Sequence, residues 1–116
     1  MSENAVRRYY ELVDQGDVEG LVALFDPDAV YQRPGYPPLH GTEELLRFYS
    51  SQRVIKEGKH ILDTVVAHGG DIAVQGEFHG TLHSGETVET RFADFFHCNP
   101  DGTVARRETY FFVPLI

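Results

Sequence analysis

Asp94 is a carboxylate placed between aromatic residues. In the segment RFADFFHC the side chains alternate, so Phe92, Asp94 and Phe96 share one face if the segment is a strand. A carboxylate on an aromatic face is costly to bury without a partner. Two arrangements would meet that cost: an acid or base that contacts a substrate, or an ion pair with a nearby arginine. Arg33 and Arg107 are the arginines considered for that pair.

The two arginines have further alternatives. Arg33 could bind an anionic or carbonyl-bearing ligand through its planar fork of donors, or point to solvent from the end of a strand. Arg107 shares a predicted strand face with Thr109 and Phe111. If that face points inward, Arg107 can pair with Asp94 or with Glu77, and its neighbour Arg106 points outward.

Proton transfer needs a base as well as an acid. His60, Glu77 and His79 are the candidates, because histidine and glutamate are the usual general bases in enzymes. Each could instead be a surface or hydrogen-bonded residue. Tyr9 and Tyr49 could form a pair of hydroxyl donors, or they could be core tyrosines whose hydroxyls reach an ordinary partner.

The sequence offers no signal for a metal or a cofactor. No two histidines stand at the spacing of H-E-x-x-H, and the glycine-rich phosphate loops and the G-x-S-x-G motif are missing. Cys98 is the single cysteine, which argues against an internal disulfide and a cysteine-based zinc cluster. We therefore expect no metal and no cofactor.

The segments that would position these groups begin with helices. Apolar residues at i, i+3, i+4 and i+7 predict an amphipathic helix over 5–13, and Gly16 suits its C-terminal end. Asp17 can cap a second short helix, and Thr42 can cap a third.

Strands dominate the rest of the chain. A turn at 26–28 precedes a short strand over 29–33. Four longer strands are then predicted, over 61–68, 72–83, 87–98 and 104–113. This order predicts an α+β fold in which three N-terminal helices pack on a curved, mainly antiparallel sheet. Such a sheet leaves a cone with one open end, where a ligand would bind.

Composition indicates one globular domain over residues 1–116 and excludes several partners. With 10 basic and 18 acidic residues the net charge is −8, which argues against nucleic acid and against an anionic membrane surface. No apolar run is long enough to span a bilayer, and the first residues lack the apolar region of a signal peptide, so a cytoplasmic protein is expected. Six tyrosines and eight phenylalanines favour a hydrophobic small-molecule ligand.

Three segments resemble a known family. They are VRRYYELVDQGDVEGLVALFDPDAVYQRPG, the motif G-T-x-x-L-x-x-F-Y at 41–49, and RFADFFHCNPDGTVARRETYFF. Together they make residues 5–112 similar to the ketosteroid isomerase and SnoaL-like group of the nuclear transport factor 2-like (NTF2-like) superfamily. The resemblance implies an NTF2-like cone, and it implies a homodimer formed through the outer face of the sheet.

The resemblance also implies roles for individual residues. Tyr9 falls on the position of the tyrosine in an oxyanion hole, Tyr49 on a tyrosine that supports it, and Asp94 on a protonated acid that completes it. The family's base is an aspartate just before a proline in the first strand. That position holds Arg33, before Pro34, and arginine does not accept a proton.

Two functions follow as alternatives. The first is a cofactor-independent isomerase or polyketide cyclase that acts on a hydrophobic carbonyl compound; the second is a non-catalytic ligand-binding or dimeric assembly module. An epoxide hydrolase arrangement is disfavoured, because Arg91 and Asp94 fall on opposite strand faces. Besides the residues discussed above, the predicted ligand contacts are aromatic: Phe25, Tyr31, Tyr36, Phe96 and Phe111, with Tyr36 in a proline-rich loop that could cover the mouth.

Overall fold

The computed structural model describes residues 2–112, and it confirms the α+β fold class. The helices are α1 (Ser2–Gln15), α2 (Val18–Val22) and α3 (Gly41–Arg47), with a π-helical segment at Phe48–Gln52. The strands are β1 (Phe25–Gln32), β2 (Leu39–His40), β3 (Ile55–His68), β4 (Asp71–Leu82), β5 (Thr87–Cys98) and β6 (Val104–Phe111). Within these residues, no helix combines the length and the apolar character needed to cross a membrane.

The end of helix α1 follows from its sequence. Gly16 adopts a φ of 76°, a left-handed conformation that glycine reaches without steric cost. The Gly16 N–H donates to the carbonyl of Val13 at 3.1 Å, and the Asp17 N–H donates to the carbonyl of Leu12 at 2.9 Å. This closure fixes the last turn of the helix, and Asp14 is in that turn.

One six-stranded sheet forms the larger part of the fold. Its strand order is β2-β1-β6-β5-β4-β3, and β1 pairs with β6 in parallel while the other neighbours are antiparallel. In the β5–β6 register Asp94 lies opposite Thr109, and Phe96 lies opposite Arg107. These pairs place the carboxylate and the guanidinium on the same face of the sheet, on adjacent strands.

The face of the sheet that packs on the helices is the predicted one. Phe92, Asp94 and Phe96 are buried, whereas Phe95 between them is exposed. On β4 the sequence leaves open which face points inward, and the structure buries the face that carries Ile72.

Several predicted boundaries are wrong. The segment 26–28 is part of β1 and not a turn, because the residues between Phe25 and Val30 form a register irregularity against β6. Helix α3 begins at Gly41, and its N-terminus is closed by the Glu44 carboxylate, which accepts from the N–H of His40 at 2.8 Å.

Two further boundaries differ near the ends of strands. Strand β3 starts at Ile55 and not at 61, because residues 55–60 pair with the end of β4. The two-residue strand β2 was not predicted, and the predicted end of the last strand at Val113 lies outside the described residues.

Candidate active site

A cavity of about 250 Å³ lies between the helices and the concave face of the sheet. Its walls are mainly apolar, with contributions from Phe78, Leu82 and Val88. Eight residues selected from the sequence also line it: Tyr9, Tyr31, Arg33, Tyr49, His60, Asp94, Arg107 and Phe111. The predicted contacts therefore converge on one space, on the side of the sheet covered by the helices.

Asp94 is completely buried at the floor of this cavity. Its Oδ2 accepts from Arg107 Nη2 at 2.8 Å and from the hydroxyl of Tyr10, and its Oδ1 accepts from the hydroxyl of Thr109. Three donors thus point at the two oxygens of Asp94. This arrangement matches a carboxylate, which accepts hydrogen bonds and has no hydrogen to donate. The oxyanion-hole role predicted for Asp94 does not fit this geometry, because that role requires a protonated acid with a free donor.

Arg107 is the arginine that pairs with Asp94. Its Nη1 donates to the hydroxyls of Tyr9 at 2.5 Å and Tyr49 at 3.1 Å. The guanidinium lies 4.4 Å from the ring centroid of Tyr9 and 4.5 Å from that of Tyr31, which stabilises a buried cation. Burial alone would lower the pKa of Arg107, but Asp94 and the neighbouring tyrosines raise it well above its usual value.

The hydroxyls of Tyr9 and Tyr49 are 2.6 Å apart. Both accept from Arg107, and only one of the two can donate to the other, so the pair has one O–H left for a ligand. Burial raises the pKa of Tyr9 to about 12, although the charge of Arg107 opposes this shift. Burial also raises the pKa of Tyr49 well above its usual value, so both phenols are protonated at neutral pH.

His60 lines the cavity from strand β3 and is oriented by Asp14. Its Nδ1 is 2.6 Å from Asp14 Oδ1, and its backbone N–H donates to Asp14 Oδ2 at 2.9 Å. The ring of Phe78 packs against the imidazole at a centroid distance of 4.8 Å. In the neutral imidazole, a carboxylate accepting at Nδ1 selects the tautomer with the hydrogen on Nδ1 and a lone pair on Nε2.

Two more arginines line the cavity, both half-buried. Arg33 does not pair with Asp94: its guanidinium lies over the rings of Tyr36 and Phe48, at 5.2 and 5.4 Å from their centroids. Arg53 lies 5.8 Å from the ring centroid of Tyr49. The Nε atoms of both arginines are buried and have no hydrogen-bond partner within residues 2–112.

Three aromatic residues predicted to contact the ligand lie behind the cavity wall. Phe25 and Phe96 pack edge-on against Tyr9, with ring centroids 5.9 and 5.8 Å away. Tyr36 does not line the cavity either, and its hydroxyl accepts from the N–H of Val54 at 3.3 Å. These rings support lining residues, so the prediction of direct ligand contact does not match their position.

Two of the three candidate bases lie on the outer face of the sheet. His79 and Glu77 are 3.1 Å apart there, and Glu77 also accepts from Arg91 at 3.4 Å. His60 is therefore the one of the three that reaches the cavity. Arg91 lies on the opposite sheet face from Asp94, as the sequence predicts. This separation is the reason why an epoxide hydrolase arrangement is disfavoured.

Some residues of the site were not found from the sequence. Helix periodicity places Tyr10 on the core side of α1, but it does not reveal that the hydroxyl reaches a carboxylate 84 positions away. Thr109 was placed on the correct strand face without a role. Asp14 and Arg53 have no signal of their own, because their contacts depend on how α1 and the π-helical segment meet the sheet.

Solved structures share this architecture closely. The epoxide hydrolase/cyclase-like enzyme SalBIII, described in pyran ring formation in the polyether salinomycin, superposes with a TM-score of 0.84 at 20% identity, over 95% of this chain and 89% of that one. An NTF2-like protein of unknown function from Burkholderia pseudomallei gives 0.84 at 23% identity, with the same coverages. Another NTF2-like protein of unknown function, from Exiguobacterium sp., superposes with a TM-score of 0.80 at 18% identity, over 92% of this chain and 97% of that one.

These likenesses show that the fold is the NTF2-like cone. At identities of 18 to 23%, they carry no information on activity. The family assignment rests on the sequence, since the model of the SnoaL-like domain matches residues 6–107, nearly the whole of the chain. The chain therefore belongs to the SnoaL-like domain family.

Proposed function

We propose that this protein is a cofactor-independent isomerase or cyclase that moves a proton on a compact hydrophobic substrate carrying a carbonyl oxygen. The observation that carries the proposal is that two different proton-handling groups line one apolar cavity. One is the Tyr9–Tyr49 hydroxyl pair bound by Arg107, and the other is His60 bound by Asp14.

The hydroxyl pair is suited to bind the carbonyl oxygen. When a proton leaves the carbon next to a carbonyl, negative charge develops on the oxygen, and prearranged donors in a dry site stabilise it. The free O–H of the Tyr9–Tyr49 pair supplies such a donor, and Arg107 behind it supplies a positive charge. Asp94 keeps Arg107 in position and is a positioning residue in this scheme.

His60 is suited to move the proton. Its Nε2 lone pair takes the proton from the carbon next to the carbonyl, and the C–H electron pair passes into the enolate. The enolate then recovers the proton from Nε2 at a different carbon, which completes an isomerisation. Attack of the enolate carbon on a second carbonyl carbon would instead close a ring, and the alkoxide formed from that carbonyl would take the proton from Nε2. Asp14 stabilises the imidazolium formed in between.

A non-catalytic binding module is the second candidate. It is supported by Arg33 at the position where the resemblance implies a base, and by an Asp94 that is fully engaged by donors. Under this alternative the same cavity binds the ligand, and no proton moves.

The isomerisation of cyclohex-3-enone to its conjugated isomer, followed by ultraviolet absorbance, tests the proposal. This compact β,γ-unsaturated ketone needs only a 1,3-proton shift, so the hydroxyl pair and His60 are sufficient for the reaction. The substitution His60→Gln should lower kcat by about 100- to 10,000-fold, the range typical of a lost general base. Asp14→Asn, which keeps the shape of the side chain, should lower kcat and leave KM nearly unchanged.

The matched control is His79→Gln on the outer face, which also removes a histidine beside a carboxylate and should leave the rate unchanged. If the ketone binds to the protein and the rate does not exceed that of buffer, the binding module is the better description. An equal loss of rate in both histidine variants would also contradict the assignment of His60.

We also propose that a second copy of the chain is the partner of the outer sheet face. Large apolar side chains are exposed there: Phe95 and Tyr110 are 54% and 52% exposed, and their rings meet at 5.9 Å. Val66 lies in the same cross-strand row as Phe95, through Ala73. Contiguous exposed apolar side chains of this kind favour self-association over an isolated subunit.

A further inference from the structure

Arg33 and Arg53 lack the carboxylate partners that most other arginines of this chain have. Within residues 2–112, neither guanidinium has a carboxylate oxygen within 4.0 Å. On the same cavity, Arg107 is paired with Asp94. The chain has 18 acidic residues, so acidic partners are plentiful, yet none makes an ion pair with these two cations within residues 2–112.

The surroundings of both arginines make an unpaired cation costly. Arg33 packs against three aromatic rings, those of Tyr36, Phe48 and Phe111, at 5.2 to 5.4 Å. Arg53 packs against Tyr49. Aromatic faces compensate part of the lost hydration, but they provide no acceptor for the N–H donors, and both Nε atoms are buried without one.

We propose that the ligand of this cavity is a compact keto acid, whose carboxylate is bound by Arg33 and Arg53 while its carbonyl oxygen meets the Tyr9–Tyr49 pair. The carboxylate would accept the donors that the protein leaves unused, in the planar geometry for which arginine is well suited. The carbonyl end of this proposal rests on the proposed function, whereas the carboxylate end rests on the two arginines alone.

The dimensions of the cavity support one molecule carrying both groups. The guanidinium of Arg53 lies 5.8 Å from the ring centroid of Tyr49, which carries one of the two hydroxyls. The volume of about 250 Å³ is below the 300–1,000 Å³ of typical ligand pockets. A small ring with a ketone and a carboxylate matches this space better than a large fused-ring compound.

The test compares an acid with its neutral analogue. We would measure the affinities of 3-oxocyclohexane-1-carboxylate and 3-oxocyclohexane-1-carboxamide by calorimetry, at low and high salt. The carboxylate should bind about 10- to 100-fold more tightly than the amide, as expected for hydrogen bonds to a charged group. High salt should weaken the carboxylate only.

Four substitutions locate the effect. Arg33→Gln and Arg53→Gln should each reduce the affinity for the carboxylate by about tenfold or more and leave the amide unchanged. Arg47→Gln is the matched control, because Arg47 is an exposed arginine outside the cavity lining. Arg33→Lys keeps the charge and should retain much of the preference, which guards against loss of folding as the explanation.

Equal affinity for acid and amide in the unsubstituted protein would overturn the proposal, and so would failure of the acid to bind at millimolar concentration. A parallel loss of both ligands in Arg33→Gln would overturn it as well. Carboxylate binding without any proton exchange at the ring would refute the proposed function and leave the carboxylate part of this inference standing. Turnover of cyclohex-3-enone without a carboxylate preference would refute the carboxylate part of this inference and leave the proposed function standing.

Discussion

Arg107 divides its donors between a carboxylate and two phenols, and this makes it the central residue of the site. Removing one partner of a buried ion pair costs about 3–5 kcal/mol in typical proteins, because the other charge is left uncompensated. Substitutions at Arg107 or Asp94 would therefore change stability and ligand binding together. Arg33 and Arg53 are better positions for functional tests, because neither takes part in an ion pair within residues 2–112.

The buried phenols predict a loss of stability at alkaline pH. Burial raises the pKa of Tyr9 to about 12 in the folded protein, against 10.0 for the free side chain, and it raises the pKa values of Tyr10 and Tyr49 as well. A raised pKa contributes stability that is complete below pH 10 and is lost as pH rises towards 12. A shift of this size in Tyr9 corresponds to about 3 kcal/mol.

The urea midpoint should therefore fall steadily between pH 10 and pH 12. In Tyr9→Phe the same curve should be flatter, because the group that ionises on unfolding is gone. A midpoint that does not change with pH over this range would contradict the burial of the phenols.

Sequence reasoning found the residues of the cavity better than their roles. Alternation along β5 and β6 was enough to bring Asp94 and Arg107 to one face. Whether Asp94 is an acid that contacts a substrate or the partner of an arginine stays open in the sequence, because it depends on the number of donors around it. Two of these donors, Tyr10 and Thr109, come from different elements, and no local pattern reports such a meeting.

At the scale of elements, two glycines in strands β3 and β4 leave space for the ring of Phe78 beside His60. A Cβ atom at Gly58 or Gly80 would lie 2.4 or 2.5 Å from the ring of Phe78. The ring thus occupies the space that side chains at these positions would fill. The glycines of the two paired strands therefore shape the cavity wall, since Phe78 lines it.

Gly80→Ala should push the Phe78 ring out of this position. We expect a loss of about 1–3 kcal/mol in the free energy of unfolding, the usual cost of overpacking, together with weaker ligand binding. Chemical denaturation of Gly80→Ala, Phe78→Leu and the double variant tests the mechanism. The double variant should lose less than the sum of the single losses, because a smaller side chain relieves the contact. Strict additivity would contradict this explanation.

The errors in element boundaries have a common physical cause. Asp26-Pro27-Asp28 has the composition of a turn, and tertiary contacts incorporate it in β1 as an irregularity against β6. Residues 55–60 lie outside the predicted strand, yet they pair with the end of β4. In both cases, pairing with a distant strand overrides the local preference. Helix α1 was predicted well because its apolar face and Gly16 are local signals.

At the scale of the whole molecule, the outer sheet face predicts a concentration-dependent dimer. Phe95→Glu places a charge within the exposed apolar row and should convert the protein to a monomer in sedimentation equilibrium, with its circular dichroism spectrum unchanged. Glu19→Lys, at an exposed position on α2, is the control for a change in charge. A monomer in the unsubstituted protein at all concentrations would refute the proposal.

The position of β6 in the sheet has a consequence for the order of folding. This strand lies between β1 and β5, so one of its edges stays unpaired until β1 docks. Strands β3, β4, β5 and β6 are joined in sequence by short turns and can associate early, whereas β1 pairs with β6 across most of the chain and the bond from Arg107 to Tyr9 joins residues 98 positions apart. The cavity floor is therefore completed among the last native contacts, and ligand binding reports molecules that have finished folding. Chains arrested before this step expose strand edges on which aggregates can grow.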